Sequence, residues 1–76
     1  MKIQILGTGC SKCKTLLANT EAAVKALGID AKIEKVEKIV DIMKFAVMTT
    51  PALVVDGQVK SVGKVLSAED IKAFLR

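Results

Sequence analysis

The sequence predicts an α/β fold in the order strand, helix, strand, helix, hairpin, helix, with one four-stranded mixed sheet and flanking helices. Three observations predict it. Short β-branched apolar runs are bounded by turn residues, stretches with helical apolar spacing separate the first three runs, and Asp56-Gly57 joins the last two as a hairpin. Strands joined through helices run parallel and a hairpin adds an antiparallel pair, so the sheet is mixed and its long crossovers are right-handed.

Ile3-Gln4-Ile5-Leu6, bounded by Gly7-Thr8-Gly9, reads as a buried strand ending in a tight loop. From Ser11 to Leu27, Cys13, Leu16, Leu17, Val24 and Leu27 fall at helical spacing with Thr20 on the same stripe, and Gly28 supplies the stop. Ala31 to Val36 begins with alternation and is expected as a second strand. Ile39, Ile42, Met43 and Ala46 repeat at i, i+3, i+4, i+7, which predicts a second amphipathic helix over about Glu37 to Val47. Thr49-Thr50-Pro51 ends it. Ala52-Leu53-Val54-Val55 then forms a strand up to the Asp56-Gly57 turn, and Gln58 to Val62 returns. Ser67 and Asp70 resemble a capping box, with Leu66 and Ile71 at the staple positions of a last helix over about Ala68 to Leu75.

The 76 residues suffice for a single domain spanning 1–76, and 51% of them are hydrophobic, almost all branched aliphatics, with Phe45 and Phe74 the two aromatics. The formal charge is +4, but the lysines are interleaved with acids and stacking aromatics are nearly absent, which argues against nucleic acid. The excess charge suits attraction of acidic protein partners. No apolar run approaches the roughly 20 residues of a membrane span, and none resembles a signal peptide, so a cytoplasmic protein is expected.

Cys10 and Cys13 are three positions apart, and a bridge between them closes too small a loop to serve as a staple. On a helix that spacing places both thiols on one face. Cys10, at the helix start, meets unpaired N–H groups and the positive dipole end, with Lys12 and Lys14 adding charge, so its pKa is expected below the ordinary value of about 8.5. Lowering a thiol pKa to about 7 raises the thiolate fraction at pH 7 from roughly 3% to about half, while reduced nucleophilicity takes back about fivefold. The remaining gain in attack rate is about threefold. Its larger use is to make Cys10 a good leaving group from a mixed disulfide with a reductase, while Cys13 lies shielded beside Leu16 and Leu17. Cys10 is thus the expected nucleophile and Cys13 the resolving thiol, and a C-x-x-C between a strand and a helix is the context of a redox motif.

Met1 to Cys13, the Thr50-Pro51 step before a strand, and Asp56-Gly57 resemble the thioredoxin-like superfamily, closest to the small glutaredoxin-like thioredoxins of archaea and bacteria. The resemblance spans essentially the whole chain and implies a βαβαββα thioredoxin-like fold, with Pro51 cis and facing the cysteine pair. It also implies that the Thr50 backbone pairs with an extended substrate segment. The implied activity is reduction of protein disulfides without a bound cofactor, by a monomer that a thioredoxin-reductase-type flavoprotein resupplies with electrons. Three departures stand out. Gly9 precedes Cys10 and Ser11-Lys12 separates the thiols, where thioredoxins usually carry Trp-Cys-Gly-Pro-Cys. Strand one has no carboxylate to assist the resolving thiol, leaving water or a nearby lysine to take its proton. Ser61-Val62-Gly63-Lys64 lacks the acidic end of the glutathione-binding segment of glutaredoxins, which speaks against glutathione.

The loop Gly7 to Cys13 also resembles that of heavy-metal-associated domains, in which the same C-x-x-C carries a soft metal such as Cu(I) or Zn(II). Those domains place a Met where this chain has Thr8 and end in a strand, whereas here a capped helix is expected at the end. Two thiols per chain also fall short of the usual four of an iron–sulfur cluster unless a second copy contributes.

Overall fold

A computed structural model describes residues 1–9, 11–47 and 49–75. The elements follow the expected order: β1 (Lys2–Leu6), α1 (Ser11–Leu27), β2 (Lys32–Val36), α2 (Ile39–Met43), β3 (Ala52–Val55), β4 (Gln58–Val62) and α3 (Ala68–Leu75). The strands form one sheet in the order β2-β1-β3-β4, with β1 parallel to β2 and antiparallel to β3, and β3 antiparallel to β4. This is the α/β thioredoxin-like arrangement that the sequence predicts.

Register decides which side chains share a face. Ile3 stands opposite Val55 and Ile5 opposite Leu53, and these four pack with Leu16 and Ala23 of α1 and Ile71 and Leu75 of α3. The alternate residues Leu6, Ala52 and Val54 point to the other face, where Ile42 of α2 covers them. Because β3 is central and covered on both faces, all four of its residues are buried, and its sequence is a continuous apolar run. Thr20 is the buried polar residue between α1 and the sheet, and its hydroxyl donates to the Leu16 carbonyl at 2.8 Å, which satisfies it within the helix.

Local chemistry sets the boundaries. Gly28 has φ +64° and its N–H donates to the Val24 carbonyl at 3.0 Å, closing α1. Val55 pairs with Gln58, leaving Asp56 and Gly57 as a two-residue turn with φ +50° and +82°, the signs a type I′ turn requires. The Lys2 N–H donates to Asp56 Oδ1 at 2.8 Å and the Asp56 N–H to the Lys2 carbonyl at 2.7 Å, tying the turn to the start of β1. The Asp70 N–H donates to Ser67 Oγ at 3.2 Å, so Ser67 caps α3. No helix among the described residues is long and apolar enough to cross a membrane.

The second helix differs from expectation. It covers Ile39–Met43 rather than about Glu37 to Val47, and Ala46, with φ +57°, stands in the left-handed region that ends a helix. Of the predicted stripe only Ile42 is buried, while Ile39 and Met43 are 64% and 67% exposed. A helix little longer than one turn can aim few residues at the sheet, and Phe45 and Val47, beyond its end, supply the remaining cover. The second strand begins at Lys32, one residue later than expected.

Two apolar substitutions should therefore differ sharply. Leu53→Ala is expected to lower stability by about 2–5 kcal/mol, and Met43→Lys to change it by less than about 0.5 kcal/mol. Urea unfolding of the two variants checks this.

Candidate active site

β1 ends at Leu6, and the buried Gly7 extends its pairing by one step, its N–H donating to the Val36 carbonyl at 2.9 Å. The chain then turns through Thr8 and Gly9, the latter at φ +90°, and α1 begins at Ser11. Cys13 lies in the first turn of α1 and is 6% exposed. A Cβ added to Gly7 would collide with Cys13 Sγ, lie 3.2 Å from Cys13 Cβ, and stand 3.9 Å from Thr50 Cβ. Gly7 is thus the point at which the end of β1, the Cys13 thiol and the Thr50 loop come together.

The Thr50-Pro51 peptide is cis, Pro51 is fully buried, and Thr49 and Thr50 are exposed. The Pro51 carbonyl accepts the Gly63 N–H at 2.8 Å, holding the residue after β4 against the loop. Gly63 is required there on two counts. Its φ is +71°, and a Cβ on it would stand 2.7 Å from Thr49 Oγ1. Cys10 lies outside the described residues. Lys12 and Lys14 are both exposed on α1, and only Lys14 borders the space next to Cys13.

That space is a cleft of about 310 Å³ with Ile5, Leu17 and Cys13 on its apolar side and the Gly7-Thr8-Gly9 backbone along one rim. Two residues that the sequence reading did not single out complete it, Lys35 and Glu37. Lys35 Nζ is 3.8 Å from Glu37 Oε1, and Glu37 Oε2 stands 3.7 Å from the position of a Cβ on Gly9. Glu37 is the cleft's one carboxylate among the described residues. The signal that could have found this pair is the parallel register, in which Lys35 stands beside Ile5. Alternation then returns Glu37 to the same side, level with the loop that follows β1.

Over residues 1–76 the sequence matches a family described as the thioredoxin domain. It is 48% identical over 75 residues to a thioredoxin of Methanothermobacter thermautotrophicus, an alignment covering 99% of this chain and 97% of that protein. It is also 42% identical over 74 residues to a thioredoxin of Methanocaldococcus jannaschii, covering 97% of this chain and 85% of that one.

The Gly7 contact has a direct consequence. Gly7→Ala is expected to cost about 1–3 kcal/mol, because the new methyl group must displace the first turn of α1. The thermal unfolding midpoint should fall and iodoacetamide should alkylate Cys13 faster than in wild type, and an unchanged pair of values would contradict the close approach.

Proposed function

The chain belongs to the thioredoxin family, whose members are thiol-disulfide oxidoreductases, and on that premise we propose that it reduces protein disulfides through a dithiol cycle of Cys10 and Cys13. The observation that supports this most is the meeting of the buried Cys13 thiol and the Thr50 loop at Gly7. A thiol shielded in this way is poorly placed to meet a protein substrate and well placed to attack a neighbour on its own helix face.

In the proposed cycle the Cys10 thiolate attacks a substrate disulfide, forming a mixed disulfide and releasing one substrate sulfur as thiolate. The Cys13 thiolate then attacks Cys10 sulfur, the mixed bond breaks, and the second substrate thiolate leaves. Two electrons have passed to the substrate, and the protein holds a Cys10–Cys13 disulfide. Lys12 and Lys14 favour the thiolate of Cys10, both as attacker of the substrate and as the group released when the reductase resolves its own mixed disulfide with the protein. Thr50 and Pro51 present the backbone edge along which an extended substrate segment aligns. A thioredoxin-reductase-type flavoprotein reduces the bridge again, and the domain acts in the cytoplasm as a monomer without a bound cofactor.

Cys13 must lose a proton before it attacks, and strand one has no acid to take it. Glu37 fills that role in our reading. It borders the same cleft, water in the cleft can connect it to the thiol, and Lys35 Nζ stands 3.8 Å from its carboxylate. Lys14 and Lys35 are the other charged groups on the cleft, while Lys38, Asp41 and Lys44 share with Glu37 the depression on its far side.

Two experiments test this reading. With a chromogenic aromatic disulfide as substrate, the wild type should release two thiols in successive phases. Cys10→Ser should release none, and Cys13→Ser should stop after one with the mixed disulfide trapped. Retention of tight Cu(I) or Zn(II) binding by a reduced protein that reduces no disulfide would establish the metal-carrier alternative instead. Glu37→Gln should slow the second phase alone by about tenfold to a hundredfold at pH 7, near the lower end of general-base effects. The deficit should shrink above the ordinary thiol pKa of about 8.5, where hydroxide removes the proton unaided. A second phase that matches wild type at every pH would remove Glu37 from the mechanism.

A further inference from the structure

A second concavity lies away from the cysteine cleft, between β4 and α3. It measures about 270 Å³ and is lined by Lys60, Ser61, Val62, Lys64, Leu66 and Phe74. Its walls combine two unusual properties. The first is exposed apolar surface, with Val62 39% and Phe74 41% exposed although the fold has ample aliphatic cover elsewhere. The second is charge of one sign, since no carboxylate is among its lining residues.

The lysines here differ from most of the others. Lys2, Lys32, Lys35, Lys44 and Lys72 each stand within 4.0 Å of a carboxylate, at 3.7, 3.6, 3.8, 3.4 and 2.8 Å respectively. Lys60 reaches only the Gln58 amide, at 3.2 Å, and Lys64 makes no ion pair among the described residues. Between them the Ser61 hydroxyl is buried without a hydrogen-bond partner among the described residues.

We infer that this groove is a docking site for an acidic, extended segment of a partner protein, which lays an apolar side chain against Leu66 and Phe74 and its carboxylates on Lys60 and Lys64. Three features select that occupant. β4 is an edge strand, so its outer backbone groups are available to an added strand. A second copy of this chain is disfavoured, because pairing two β4 edges sets lysines against lysines. The net charge of +4 draws acidic partners to the surface as a whole.

The groove is also close to the loop before β3. Gly63, between Val62 and Lys64, bonds to the Pro51 carbonyl and abuts Thr49. A partner seated here is tethered next to the Thr50-Pro51 step without occupying it. Docking needs neither cysteine, so it stands or fails separately from the dithiol cycle.

The probe is a fluorescently labelled synthetic peptide of alternating Glu and Val with a central Leu, compared with the same peptide carrying Lys in place of Glu. Binding to the full chain is followed by anisotropy, and the site is mapped from amide shifts in ¹H–¹⁵N spectra. The acidic peptide should bind, the basic one should not, and shifts should centre on Lys60 to Leu66 and on Phe74. Affinity should fall with added salt and drop at least about tenfold in the K60E/K64E double variant. It should fall less in Lys64→Gln, the milder change that guards against a folding defect, and be unaltered in Cys10→Ser. Equal binding of the two peptides, shifts centred elsewhere, or a concentration-dependent dimer that buries β4 would each overturn the inference.

Discussion

The cysteine end of this molecule depends on how closely the first turn of α1 approaches the end of β1. At Gly7 the approach leaves no room for a methyl group, since the Cys13 sulfur already occupies the space where one would stand. The same glycine extends β1 pairing to Val36, so the sheet, the helix start and the Cys13 thiol are fixed relative to one another through a single backbone position. The loop at Thr50 closes the arrangement from the β3 side. It is held by the Pro51 carbonyl on Gly63, which has its own need for a missing side chain. Glycines at these two contacts therefore set a geometry, and the chemistry of the neighbouring residues acts within it.

In the proposed cycle, burial suits the Cys13 thiol to resolution rather than to attack on a substrate. A sulfur as inaccessible as that of Cys13 cannot readily meet a bulky substrate, but it is protected from competing oxidants. Its disadvantage is that the proton it must lose needs a route out. The cleft beside Gly7 and Gly9 is such a route, with apolar walls near the sulfur and an ion pair at its far side. A low Cys10 pKa contributes little to attack itself, about threefold once reduced nucleophilicity is included. In the proposed cycle, release of Cys10 from a mixed disulfide with the reductase and prompt deprotonation of Cys13 are the steps with more to gain.

The strands, the first and last helices and the type I′ hairpin could be read from the sequence because each carries a local chemical cause. Gly28 ends α1, Ser67 caps α3, and Asp56-Gly57 adopts the positive φ values the turn needs. The second helix was less legible. Its stripe of Ile39, Ile42, Met43 and Ala46 reports which residues would share a face, and periodicity says nothing about whether that face is covered. Coverage is a property of the whole sheet. Here Phe45 and Val47, beyond the helix, take it over after Ala46 turns the chain.

By itself, the sequence determined the α/β order, the mixed sheet and the C-x-x-C at a strand-to-helix junction, because propensity, turn chemistry and apolar period act over a few residues and all agree. The tertiary structure decided the surroundings of that motif. Glu37 and Lys35 reach the cleft only because β2 lies parallel to β1 in a particular register, which places them beside a loop nearly 30 positions earlier in the chain. Thr50 and Cys13, far apart in sequence, meet at Gly7 for the same kind of reason. Lys60, Lys64 and Phe74 likewise become one surface only when α3 packs beside the last strand. Local patterns name the reacting atoms, and strand register and helix packing choose their neighbours.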